Sequence, residues 1–340
     1  MSDRRPASDH RPAPIRSRLG LLLLLAAGFM SSGVFAHEMP PPGSRALDRA
    51  AVVSDVGCEP DVWLVSTRRL PAICALPTAP ALHVERRSAG CWESSDMAEL
   101  LGDDARPLLI FIHGNRYDAG SAKSQGVLLA RHMAACCPEG PAPRTLIFSW
   151  PSEQQGILLK DGRAKYERAF VDAHYLAWLI GQVSPERPLA VVAYSFGALI
   201  AAEATEDLVE ANRCGRPDIQ PWSARPGRTH FVFVAPAVRC DALAPRGPYR
   251  ELLEGLERLT LVINSRDDAL KFFPLLDRDQ RADALGYVGM PRRWMADGID
   301  FSATDAAGIV GKTHGLPLYL ASPTLTRRIA RGALEGLAGE

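Results

Sequence analysis

The chain has 340 residues, 47% of them hydrophobic, with 39 basic and 39 acidic side chains. That length holds one or two domains with an ordinary core. A zero formal charge gives no sign of the basic surface that nucleic-acid binding needs, so nucleic acid is not an expected partner. Arginine greatly outnumbers lysine, and alanine and proline are abundant, which reads as GC-rich, bacterial coding.

Residues 1–36 read as a signal peptide. Arg4, Arg5, Arg11, Arg16 and Arg18 precede an apolar stretch from Leu19 to Met30, and Val34-Phe-Ala36 supplies small residues for cleavage. The stretch is short beside the roughly 20 residues of a membrane span. No stable membrane span is therefore expected after cleavage, and export to the periplasm or medium is the expectation. An uncleaved N-terminal anchor is the competing reading. Residues 37–59 read as a flexible leader, rich in proline and alanine. An exported chain meets oxidising conditions, so some of its 7 cysteines are expected to pair. The odd count leaves at least one over.

The elements follow in order. Asp61–Thr67 reads as a strand, Leu82–Arg86 as a weaker one, and Arg106–Ile112 as a buried strand ending in His113-Gly114-Asn115. A helix is predicted over Ala119–Ala135, a strand over Arg144–Ser149 and a helix over Tyr166–Gln182. Leu189–Ala193 reads as a buried strand, with an alanine-rich helix over Ala198–Ala204. Two further strands fall at His230–Ala235 and Leu259–Ile263, and a last helix at Thr324–Leu337. Continuous apolar strands alternating with helices predict a mostly parallel sheet covered on both faces, an α/β architecture. Residues 60–337 read as one domain.

Between strand and helix stands Ala193-Tyr-Ser-Phe-Gly197. Strand, tight turn with serine at its apex, helix: this is the form of a nucleophile elbow, with Ala193 where glycine is usual. An activated serine needs a base and a group that orients the base. In this architecture the order is serine, acid, histidine. The strand ending at Ile263 runs into Asp267 and Asp268, and His314 is the only histidine beyond them. Ser195, Asp267 and His314 are thus the candidate catalytic residues, with Asp268 the alternative acid. Two backbone amides must face the developing oxyanion. Phe196, after the serine, and Asn115, in the loop after Ile112, are the candidates. His113 reads as a structural histidine.

Taken together these residues resemble the alpha/beta-hydrolase superfamily. They are more closely similar to a little-characterised bacterial group filed as domains of unknown function. The likeness rests on Phe111-Ile-His-Gly-Asn115, Ser149-Trp-Pro-Ser152, Ala193-Tyr-Ser-Phe-Gly197 and Ser265-Arg-Asp-Asp-Ala-Leu270. It runs from about residue 60 to about 335. The register of the last segment favours Asp267 over Asp268. Tyr194 departs from the histidine common in the group. The resemblance implies an alpha/beta-hydrolase fold and hydrolysis of an ester, thioester or amide of a small-molecule acyl substrate.

The scheme needs no metal or organic cofactor. Neither a C-x-x-C pair nor a Cys/His spacing suggests a metal site, and no cysteine stands at a strand-to-helix turn. Gly311-Lys-Thr313 matches the end of a phosphate-binding loop, but the first glycine of that motif would fall on Ala306. Residues 271–302 read as an irregular segment that could cap the site, with Phe272, Phe273, Leu275, Leu276, Tyr287, Trp294 and Met295 as an apolar wall. A non-catalytic hydrolase-fold binding or cell-envelope module is the reading from another class.

Overall fold

Runs such as Leu108–Ile112 and Thr229–Val234 are buried along their whole length. A strand buried on both faces must pass its backbone hydrogen bonds to neighbours on either side, and the connecting helices cover those faces. The computed structural model describes residues 59–102, 106–136, 142–223, 225–277 and 280–338. The signal peptide read at 1–36 lies outside them, as does the leader read at 37–59 except for Glu59. The described residues belong to one unit, Gly57–Glu340.

Among them, the strands are β1 (Val62–Ser66), β2 (His83–Ser88), β3 (Cys91–Ser95), β4 (Leu108–Ile112), β5 (Arg144–Ser149), β6 (Leu189–Tyr194), β7 (Thr229–Val234), β8 (Arg258–Ile263) and β9 (Asp300–Asp305). They form one sheet in the order β3-β2-β1-β5-β4-β6-β7-β8-β9. The β1–β2 and β2–β3 pairs are antiparallel, and all other pairs are parallel. The helices are α1 (Met97–Leu101), α2 (Ala119–Ala135), α3 (Leu158–Gly181), α4 (Phe196–Arg213), α5 (Leu285–Val288), α6 (Ala307–Val310), α7 (Leu316–Ala321) and α8 (Pro323–Leu334).

Right-handed crossovers that step outward in opposite directions place their helices on opposite faces. The β4–α2–β5 crossover steps one way and β6–α4–β7 the other. Accordingly α2 and α8 share one face, and α3 packs along α4 on the other. The mostly parallel α/β sheet expected from the alternating elements is observed, and so is the alpha/beta-hydrolase fold that the resemblance implied.

Two strands had no counterpart in the sequence reading, β3 and β9, one at each edge of the sheet. Residues 271–302 hold 3-10 turns at Leu270–Leu275 and Arg292–Trp294, helix α5 and the start of β9. Phe273 is a core residue, while Leu276, Tyr287 and Met295 pack against the core and Leu275 is exposed. Cys74, Cys91, Cys136, Cys214 and Cys240 are free thiols, and Cys58 and Cys137 lie outside the described residues. Among the described residues, no helix is long and apolar enough to cross a membrane.

Candidate active site

From β4 the chain passes to β5 on one side, then crosses back to β6 on the other. In open α/β sheets such a reversal opens a crevice at the carboxyl ends of the strands, where ligands bind. Ile112 pairs in register with Ala193, so His113-Gly114-Asn115 and Ser195 leave the sheet side by side at that crevice.

Ser195 has φ 56° and ψ −120°, a left-handed conformation that L-residues disfavour. The surrounding chain holds it there. Its amide donates to the Val234 carbonyl at 3.0 Å, and its carbonyl accepts from the Ala198 and Ala237 amides, each at 3.0 Å. The turn also needs Gly197, because a Cβ at that position would lie 2.3 Å from the Ile112 carbonyl oxygen. Helix α4 therefore starts hard against the end of β4.

Ser195 Oγ lies 2.7 Å from His314 Nε2, and His314 Nδ1 lies 2.7 Å from Asp267 Oδ2. An ionised carboxylate only accepts, so Nδ1 carries the imidazole proton and Nε2 presents its lone pair to the serine hydroxyl. Asp267 is fully buried, Ser195 is 4% exposed, and the His314 side chain is 24% exposed. The other carboxylate oxygen of Asp267 accepts from the Ala269 and Leu270 amides at 2.9 and 3.0 Å. Asp267 thus caps the turn that follows it and still offers one oxygen to the imidazole. Asp268 is exposed, and its backbone amide donates to the Lys312 carbonyl at 3.1 Å. Asn264 Nδ2 donates to the Thr313 carbonyl at 3.1 Å. The turn carrying the acid and the loop carrying the imidazole are stitched together just ahead of His314.

Phe196 is the first residue of α4, where helix geometry provides no intrahelical partner for its N–H. The Asn115 amide has no hydrogen-bond partner among the described residues. The loop that carries Asn115 is braced from below. Trp150 Nε1 donates to the His113 carbonyl at 2.9 Å, and Ser152 Oγ both donates to the Tyr117 carbonyl and accepts from the Tyr117 amide, each at 3.1 Å. Arg68 donates to the Tyr117 carbonyl at 3.0 Å and to Ser149 Oγ at 2.9 Å, and pairs with Glu153. The Ser149-Trp-Pro-Ser152 segment is therefore a support for the loop after β4. Neither that role nor Arg68 was visible in the one-dimensional pattern, because the partners are far apart in sequence.

His113 is fully buried between the rings of Tyr117 and Trp150, with centroids 5.0 and 5.8 Å away. Burial, reinforced by the Arg68 guanidinium, lowers its pKa to about 3. It is neutral at physiological pH, and its Nδ1–H donates to the Gly114 carbonyl at 2.9 Å. This is the structural histidine expected from the sequence.

On the far side of the elbow, Tyr166 of α3 meets Phe196, Phe170 and Phe273 at centroid distances of 6.2, 5.3 and 6.0 Å. Among the described residues no group of three or more His, Cys, Asp or Glu side chains is arranged to hold a metal ion. A groove of about 500 Å³ between α8 and the β8–β9 edge is lined by Arg258, Asp300, Arg327 and Arg331. It reaches the amino ends of β8 and β9, away from Ser195, and Arg258 is engaged by Asp300 at 2.8 Å.

A mostly parallel sheet with a strained serine turn at its point of reversal defines the alpha/beta-hydrolase class. The chain belongs to the family "Alpha/beta hydrolase of unknown function (DUF900)", whose model matches residues 93–330. Two solved structures are distantly similar. One is a candidate cell surface hydrolase from Lactobacillus plantarum WCFS1, at 10% identity and TM-score 0.36, over 68% of this chain and 100% of that one. The other is an inhibited esterase B from Lactobacillus rhamnosis, at 10% identity and TM-score 0.37, over 91% of this chain and 93% of that one. No curated protein matches the chain.

Proposed function

We propose that the chain is an exported serine hydrolase that cleaves an ester, thioester or amide through an acyl-enzyme. The observation that carries this reading is the hydrogen-bonded sequence from Ser195 Oγ through His314 to buried Asp267, each link 2.7 Å. Ser195 Oγ attacks the acyl carbon while His314 Nε2 takes its proton. The carbonyl oxygen becomes an oxyanion, and the amides of Asn115 and Phe196 donate to it. Asp267 fixes the imidazole and stabilises its cation. The tetrahedral intermediate collapses, the bond to the leaving group breaks, and His314 protonates that group. Water then attacks the acyl-enzyme by the same route and frees Ser195. Export is supported by the N-terminal charge and apolar pattern. Activity toward small acyl substrates is supported by the hydrolase family and by the partly exposed imidazole.

Substitution Ser195→Ala, assayed with a short p-nitrophenyl ester, is expected to lower kcat by about 10⁴-fold or more without loss of fold. Unchanged turnover would overturn the reading. A folded protein with no turnover toward esters, thioesters or amides would favour the binding-module reading.

A further inference from the structure

Tyr194 joins the nucleophile to the loop that carries the base. Its backbone is the last residue of β6, joined directly to Ser195. Its hydroxyl donates a hydrogen bond to the backbone carbonyl of His314, 120 residues away in sequence. Its ring lies beside the imidazole, with centroids 5.3 Å apart and planes tilted by 33°. The ring also meets the loop after β4. A Cβ on Gly114 would stand 2.8 Å from Tyr194 Cε1 and 2.9 Å from Ser195 Cβ, so glycine leaves the space the ring fills. Tyr117 closes the remaining side, edge-on at 6.3 Å.

Resting on the serine-hydrolase reading above, we propose that Tyr194 is a positioning residue that holds the His314 imidazole in register with Ser195. The physical reason is leverage. Asp267 touches the imidazole through one oxygen at Nδ1, and the contact at Nε2 is to Ser195 Oγ, which must break in the reaction. Asn264 and Asp268 hold the carbonyls of Thr313 and Lys312, the two residues ahead of His314. Tyr194 supplies both missing constraints, a ring packed beside the imidazole and a hydroxyl on its backbone. Because Tyr194 shares a peptide bond with Ser195, any displacement of β6 carries nucleophile and base together. Burial keeps the phenol protonated, so it remains a donor. The hydroxyl faces the His314 backbone carbonyl, and Ser195 Oγ meets Nε2 of the ring. Tyr194 therefore acts through His314 and transfers no proton itself.

The test compares full-length wild type, Tyr194→Phe, Tyr194→Leu and Ser195→Ala. Two readouts are taken: kcat and KM for p-nitrophenyl acetate, and the downfield NMR resonance of the His314 Nδ1 proton shared with Asp267. Tyr194→Phe removes one hydrogen bond and keeps the ring, so kcat is expected to fall about tenfold. Tyr194→Leu removes both constraints, and a loss of about a hundredfold is expected, as for a misplaced reacting group. KM is expected to stay within about twofold in both, the pattern of an interaction made in the transition state. The resonance should broaden or vanish in both Tyr194 variants and persist in Ser195→Ala. Wild-type kcat and a sharp resonance in Tyr194→Phe would overturn the proposal while leaving the hydrolase reading standing, provided Ser195→Ala is inactive. A kcat loss with an unaltered resonance would place the effect elsewhere than His314 and also overturn it. If wild type and Ser195→Ala are equally inactive, the hydrolase reading falls. The resonance alone then decides whether Tyr194 holds the imidazole.

Discussion

At the scale of single residues, the site depends on what each side chain or its absence leaves room for. Ser195 bears a backbone strain of order 1–3 kcal/mol, which three backbone hydrogen bonds offset. Two adjacent carboxylates follow β8, and burial separates them. Asp267 has no exposed surface, caps its own turn and meets His314 at 2.7 Å, whereas Asp268 faces solvent. Asp267→Asn would present the imidazole with a mixed donor and acceptor in place of a carboxylate. It should lower kcat toward a p-nitrophenyl ester by about 10³–10⁴-fold. Asp268→Asn should stay within about twofold of wild type, as surface changes away from the reacting groups do. Equal losses in the two variants would contradict the assignment.

At the scale of elements, legibility followed burial. The runs Leu108–Ile112, Arg144–Ser149 and Leu189–Tyr194 are buried throughout and announce themselves as apolar strands. Cys91–Ser95 and Asp300–Asp305 carry mostly exposed or half-exposed side chains. They are strands because β2 and β8 offer them a hydrogen-bonding edge, which composition does not report. Helix α3 begins at Leu158, ahead of the apolar spacing that starts at Tyr166, because its first two turns are largely polar and include Gly162. Helix α4 likewise runs past Ala204 to Arg213 through an acidic stretch. The candidate site was legible in its order: a serine at a strand end, an acid after a later strand, then the last histidine. Its supports were not. Arg68, Ser152 and Tyr194 act on backbone groups tens of residues away, and a hydrogen bond to a distant carbonyl leaves no local pattern.

At the scale of the whole molecule, buried histidines tie stability to pH. Burial lowers His113 to about 3 and His230 to about 4, from an ordinary value of 6.5. Below 6.5 the unfolded chain binds protons that these folded sites refuse, so their share of stability is complete above 6.5 and lost as pH falls toward 3–4. For His230 alone the loss by pH 4 is roughly 3 kcal/mol, at about 1.4 kcal/mol per pKa unit. His174 works in the opposite sense. Its hydrogen bond to Asp207 raises it, so its contribution is present at low pH and lost as pH rises through its folded value. The two buried rings outweigh it, and Tm is expected to fall between pH 6.5 and pH 4. His230→Gln, which keeps a donor for the Ala333 carbonyl, should flatten that fall. A variant with the wild-type acid slope would contradict the assignment to His230.

Catalysis as proposed requires Ser195 to be a nucleophile under command of His314. Fluorophosphonate labelling of the full chain, followed by peptide mapping, tests this most directly. The expected result is a single adduct on Ser195 that disappears in Ser195→Ala and is strongly slowed in His314→Ala. A folded wild-type protein that stays unlabelled, or carries its adduct on another residue, would contradict it.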